Sequence, residues 1–132
     1  METIFIHEAD ESIMEVLALT LQMEGYQVVC SAQCGEEILP RIARMGPALV
    51  ILDFKISGEV SILTCGLIKQ RWPSLPVLAI SCNNKIKETF RQHGFDGYIE
   101  KPFDISHLLA KIRFHIQSVP RHQAHPLNVG ME

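Results

Sequence analysis

The sequence predicts an α/β domain, a doubly wound five-stranded parallel sheet with helices on both faces. Three observations predict it. Short apolar, β-rich runs recur at residues 4–7, 27–30, 49–53, 77–80 and 97–100. Segments with helical period separate them. The runs are apolar at successive positions, so both faces of each strand need cover, and strands of that kind alternating with helices are joined by right-handed crossovers.

Each element carries its own signal. Ile13, Val16, Leu17 and Leu21 stripe the first helix; Asp10 or Ser12 can cap it, Glu15 completes a capping box after Ser12, and Gly25 stands where the helix should stop. Pro40 lies inside CGEEILPRIARMG and removes a backbone donor, which predicts a kinked or shortened second helix. Asn83 and Asp104 stand as caps for the fourth and fifth helices, and Ile105, Leu108, Leu109, Ile112 and Ile116 stripe the fifth. Residues 1–118 read as one domain. Residues 119–132 contain Pro, His and Gly with no apolar period, and read as a flexible C-terminal tail. The initial Met and the irregular tail are expected to mark a complete chain with no output domain after it.

Composition narrows the function. With 132 residues, 47% of them hydrophobic, the chain can build one well-packed core but not two domains. A net charge of -3 with no concentration of Lys and Arg gives no sequence-wide attraction for nucleic acid or anionic lipid. The N-terminus has no signal-peptide pattern, and no run of about 18 apolar residues occurs. A soluble, cytoplasmic protein without membrane contact is expected. Cys30, Cys34, Cys65 and Cys82 form no Cys-x-x-Cys pair, which predicts free thiols in a reducing compartment rather than zinc, with Cys30 and Cys34 as small core or rim residues. His122 and His125 are two ligands on a tail and make a poor metal site.

In an open parallel sheet, ligands bind beyond the carboxyl ends of the strands, where strand order reverses. The first strand exit carries Glu8 and Asp10, the third ends in Asp53, the fourth in Ser81, and the fifth leads into Lys101-Pro102. Carboxylates, a hydroxyl and an ammonium suit a phosphoryl group held on a carboxylate near Mg²⁺, because hard oxygens favour that cation and Lys favours phosphate. Dinucleotides are excluded: the first turn, HEADES, lacks the glycines for backbone approach to a pyrophosphate, and no Gly-rich Lys-Ser/Thr loop exists.

Over about residues 3–117 the chain resembles the response-regulator receiver family, which includes the chemotaxis regulators. The resemblance rests on LVILDF (49–54), PVLAISC (76–82) and GYIEKPF (97–103), whose order and spacing together are specific. It implies a flavodoxin-like strand order 2-1-3-4-5. It also implies that Asp53 takes a phosphoryl group from a histidine kinase or phosphotransfer protein. Mg²⁺ would then sit on Glu8, Asp10, Asp53 and the backbone carbonyl of Lys55, with Ser81 and Lys101 as the catalytic pair on the phosphoryl oxygens. Ser81 and Tyr98 would form the switch, and Pro102 would follow a cis peptide bond. A downstream protein target would dock on the face from the fourth to the fifth helix, the face a homodimer would also use. The domain would be a switch, not an enzyme.

The sequence departs from the family pattern at the metal. Ala9 stands where a second adjacent acid is usual. Asp10 can ligate the cation or cap the first helix, and the two roles are compatible. Lys55 can send its ammonium into the acidic pocket and imitate the cation. Ser57 replaces a common proline, and Val60-Ser61 a common Asp-Gly. His7 reads as a buried, hydrogen-bonded histidine or as a pH-sensitive neighbour of Glu8. Plainer readings stand beside these: Ser81 as a helix cap, Lys101 as a surface lysine, Tyr98 as strand packing. The alternative function is a pseudo-receiver that docks proteins without phosphorylation. An aspartate-nucleophile phosphatase would need an acid where Lys55 stands, and a flavin carrier would need a Ser/Thr-rich loop in place of HEADES.

Overall fold

The computed structural model describes residues 2–55, 58–82 and 85–118. Five parallel strands, β1 (Thr3–His7), β2 (Gln27–Ser31), β3 (Leu49–Asp53), β4 (Val77–Ser81) and β5 (Gly97–Glu100), lie in the order β2-β1-β3-β4-β5. The intervening helices are α1 (Glu11–Met23), α2 (Leu39–Met45), α3 (Glu59–Arg71), α4 (Ile86–Thr89) and α5 (Ile105–Ser118). The fold is the doubly wound, flavodoxin-like arrangement, with β1 and β3 adjacent where the order reverses.

Strand alternation divides the core into two layers. Phe5, Val50, Leu52, Val77 and Ala79 meet Ile42 of α2, Ile68 of α3 and Ile86 of α4. On the other face Ile4, Ile6, Leu49, Ile51, Leu78 and Ile80 meet Leu17 and Leu21 of α1 and Leu108 and Ile112 of α5. Every residue of β1, β3 and β4 is buried, which is why these strands read as unbroken apolar runs. β2 lies at one edge, its first residue exposed and the next three half-buried. Burying a leucine such as Leu17 or Leu21 contributes roughly 1.5–3 kcal/mol, enough to fix α1 on this face.

The helix punctuation is more selective than the sequence alone indicates. Asp10, not Ser12, caps α1: its Oδ1 accepts the Ile13 N–H at 3.1 Å. Ser12 and Glu15 both lie inside the helix, so the Ser12 capping box does not form. Asp104 Oδ1 accepts the His107 N–H at 3.0 Å and caps α5. Pro40 shortens its helix rather than kinking it. It occupies the first turn of α2, where no helical donor is needed, and a 3₁₀ turn at Glu36–Ile38 precedes it. Val16 and Ile105, in the expected apolar stripes, are 49% and 51% exposed; with Ile13, Pro102 and Phe103 they line an apolar groove between α1 and the β5–α5 loop. Asn83, Ser57 and the tail 119–132, including His122 and His125, lie outside the described residues.

Candidate functional site

The carboxyl ends of four strands, β1, β3, β4 and β5, build the site. Asp53 is the last residue of β3, and alternation from Leu49 and Ile51 turns it to the α1–α5 face. Glu8 follows β1 and continues the alternation of Ile4 and Ile6 to the same face. Lys101 follows β5, and the Lys101–Pro102 bond is cis. Lys101 Nζ lies 3.1 Å from Glu8 Oε1 and 3.3 Å from Asp53 Oδ1, bridging residues 93 and 48 positions away in sequence. The other two carboxylate oxygens are also engaged: Glu8 Oε2 accepts the Asp10 N–H at 3.0 Å, and Asp53 Oδ2 accepts the Ala9 N–H at 3.2 Å. Ser81, at the end of β4, is buried and lines the same cavity of about 550 Å³, as does Lys55.

Both acids are almost completely buried, and their environments push them apart. Burial raises the Glu8 carboxyl above its ordinary range, helped by a hydrogen bond to Asp53; the Asp10 N–H and Lys101 oppose this only in part. Burial acts in the same upward sense on Asp53. There the hydrogen bond from Glu8, the Ala9 N–H and the Lys101 ammonium outweigh it and hold the carboxyl below its ordinary range. The two carboxyls are therefore driven apart, Glu8 toward its protonated form and Asp53 toward its ionised form. Burial alone would lower Lys101, but Glu8 and Asp53 raise it, so the bridging group is an ammonium.

Other expected residues fall around this core. Tyr98, on β5, is half-buried; its ring packs 5.1 Å from that of Phe90 and lies 3.8 Å from Lys111 Nζ. His7 is buried on the opposite face from Glu8, and its Nδ1 has no hydrogen-bond partner among the described residues. Burial pushes its imidazole below its ordinary value; Asp53 and the Ala32 carbonyl oppose this, and Lys55 adds to it.

Residue-type reasoning could not identify the backbone N–H of Ala9 as an Asp53 donor, since it chooses no side chain. Nor did it single out Gly58, where φ is +72° and a Cβ would stand 2.2 Å from the Phe54 ring. That ring follows Asp53 directly, and only a glycine at position 58 leaves it room.

Mg²⁺ takes near-octahedral oxygen coordination at about 2.0–2.1 Å. The expected donors do not fit it as arranged. Ala9 offers no side-chain oxygen, and one of the two Asp10 carboxylate oxygens caps α1. The Lys55 carbonyl accepts the Gly58 N–H at 2.6 Å, and an ammonium already bridges Glu8 and Asp53. Among the described residues no group of three or more His, Cys, Asp or Glu side chains could hold a metal.

The family model of the response regulator receiver domain matches residues 4–113. The chain belongs to that family. This receiver domain is 35% identical over 112 residues to the uncharacterized transcriptional regulatory protein YkoG of Bacillus subtilis (strain 168), covering 83% of this chain and 49% of that one. It is 30% identical over 112 residues to the response regulator MprA of Mycobacterium sp. (strain KMS), covering 83% and 48%. The receiver domain thus spans about half the length of these curated relatives. A crystal structure of the response regulator TrrA from Thermotoga maritima, in complex with Mg²⁺-BeF, shares the fold with a TM-score of 0.76 at 24% identity, covering 87% of this chain and 99% of that one. Among the described residues no helix is long and apolar enough to cross a membrane.

Proposed function

We propose that Asp53 accepts a phosphoryl group from the phosphohistidine of a histidine kinase or phosphotransfer protein, and that the acyl phosphate switches which protein the domain binds. One observation carries this reading: an ammonium bridges two buried carboxylates at the strand ends, one of them held ionised and open to a cavity. An Asp53 carboxylate oxygen attacks phosphorus and forms the new O–P bond. The P–N bond of the donor breaks, and its electron pair returns to the imidazole nitrogen. No proton has to leave Asp53.

Transfer of this kind is mostly positioning and electrostatics, which Lys101 and the Ser81 hydroxyl supply on the phosphoryl oxygens. No step is routed through the Mg²⁺ expected on Glu8, Asp10, Asp53 and the Lys55 carbonyl. Ser81 drawn toward the phosphoryl group pulls on β4, beside β5 and Tyr98. The packing of Tyr98 against Phe90 and Lys111 then changes the face between α4 and α5, where a downstream protein docks. The covalent chemistry is confined to the domain's own side chain, so it works as a switch rather than an enzyme.

The test is incubation of the full chain with phosphoramidate, followed by intact mass. One added phosphoryl group is expected, and none in Asp53→Asn. Absence of labelling in folded protein, with and without Mg²⁺, overturns the reading.

A further inference from the structure

The outward face of α3 is more apolar than its inward one. Ser61, Thr64 and Cys65 are buried together with Ile68, whereas Val60 and Leu63 are 58% and 61% exposed and Leu67 is half-buried beside them. Helical period puts Val60, Leu63 and Leu67 on one stripe with Gly66 and Gln70, so no charge interrupts this face between Glu59 and Arg71. Lys69, at its margin, is tied to Asp96 at 2.9 Å and to the Leu75 carbonyl at 3.0 Å. No atom stands within 4 Å of where a Cβ on Gly66 would lie, so a second backbone can approach closely there. A helix apolar on both sides is ordinarily covered on both, and among the described residues the sheet covers only one.

We propose that α3 of a second copy of this chain covers the face, antiparallel to the first across a two-fold axis at position 65. The charges at the two ends of the helix select that occupant. Glu59 and Arg71 are both exposed, one at each end of the 13-residue helix, with the Arg71 guanidinium 4.6 Å over the Trp72 ring. An antiparallel pair centred on position 65 sets Glu59 against the partner's Arg71. The same register sets Leu63 against the partner's Leu67, and Val60 against the partner's Gln70. The two-fold axis repeats each contact, which is the self-complementarity that an isologous interface requires of its surface. A parallel pair would instead set like charges against each other at both ends. One pair of helices about 20 Å long buries less than the roughly 800 Å² per partner of a standard interface, so the dimer is weak, with a dissociation constant of about 10–500 µM. The surface is distinct from the face between α4 and α5 assigned to the downstream protein.

Sedimentation equilibrium of the full chain from about 10 µM to about 1 mM tests the pairing, with circular dichroism confirming that each variant is folded. Wild type is expected to follow a monomer–dimer equilibrium. Leu63→Glu, a substitution at an exposed position, is expected to weaken it about tenfold or more by burying an unpaired charge. Glu59→Arg and Arg71→Glu each turn both ion pairs into like-charge contacts and are each expected to weaken it about threefold or more. The double variant Glu59→Arg/Arg71→Glu restores opposite charges at both ends and is expected to dimerise within about twofold of wild type. Wild type that stays monomeric throughout overturns the inference, whatever other molecule binds α3. A dimer that Leu63→Glu leaves intact overturns it by placing the contact on another face. Charge variants that change nothing, or single losses that the double variant does not restore, overturn the antiparallel pairing.

Discussion

Replacing Lys101 with methionine keeps the length of the side chain and removes the ammonium that bridges Glu8 and Asp53. The Lys101 side chain is 11% exposed, and those of its partners are 1% and 0% exposed. Breaking a buried ion pair by removing one partner costs about 3–5 kcal/mol. The cavity admits solvent on one side and Glu8 can retain a proton, so a loss of about 2–3 kcal/mol near neutral pH is expected here. With a urea m value of about 1.5 kcal/mol/M, the midpoint should fall by about 1.3–2 M. Trp72, the single tryptophan, is buried at 4% exposure and reports unfolding by fluorescence.

The pH dependence of that loss has a definite sign. Lys101 lowers the Glu8 carboxyl, so the variant's Glu8 should bind its proton more tightly and titrate still further above its ordinary value of 4.5. The folded variant then takes up a proton at a pH where its unfolded chain does not. Stability returns as pH falls through the folded Glu8 value, so the gap to wild type should narrow as pH falls toward the ordinary carboxylate range. An unchanged midpoint, or a gap that widens in acid, would refute the bridging role of Lys101.

Three further outcomes follow from particular contacts. Gly58→Ala puts a methyl group where the Phe54 ring lies, at a φ that strains any side chain; a cost of about 1–3 kcal/mol is expected by urea unfolding, and no change would mean that Phe54 swings away freely. His7 and His115 are both pushed below their ordinary 6.5, chiefly by burial, so below that pH the unfolded chain binds protons that the folded one refuses. Stability should fall as pH drops from 6.5, and the fall should be shallower in His115→Leu, measured by urea midpoints at successive pH values. Burial pushes the Cys65 thiol up to about 12, while Cys82 is exposed at the cavity. An aromatic disulfide reagent should modify Cys82 in the folded protein and reach Cys65 only on unfolding, as peptide mapping of the labelled sites would show.

The sheet was the most legible part of the sequence. The runs at 49–53 and 97–100 coincide with β3 and β5, and the other three strands each extend one residue further, at Thr3, Ser31 and Ser81. Central strands are buried on both faces, so their composition leaves little ambiguity. Helix ends were harder to read. Asp10 and Ser12 are equally good caps by residue type, and only the packing of Leu17 and Leu21 against the sheet sets the helix phase that selects Asp10. The exposure of Val16 and Ile105 has the same cause: an apolar stripe wider than its contact leaves its margin in solvent.

At the site, the sequence supplied the groups, and the fold decided how they share protons and charge. Glu8 and Asp53 are both carboxylates at strand ends, and nothing in their neighbouring residues tells which carboxyl is raised and which is lowered. The distinction arises from donors. Asp53 receives the Ala9 N–H, the Lys101 ammonium and the Glu8 hydrogen bond, so its charged form is favoured despite burial. Glu8 receives the Asp10 N–H and Lys101, and these do not offset its own burial beside a second carboxylate. Ala9 takes part twice: its backbone holds Asp53 ionised, and its missing carboxylate leaves the pocket short of metal donors. One substitution relative to the family pattern thus keeps a backbone donor on Asp53 while leaving one carboxylate fewer in the pocket.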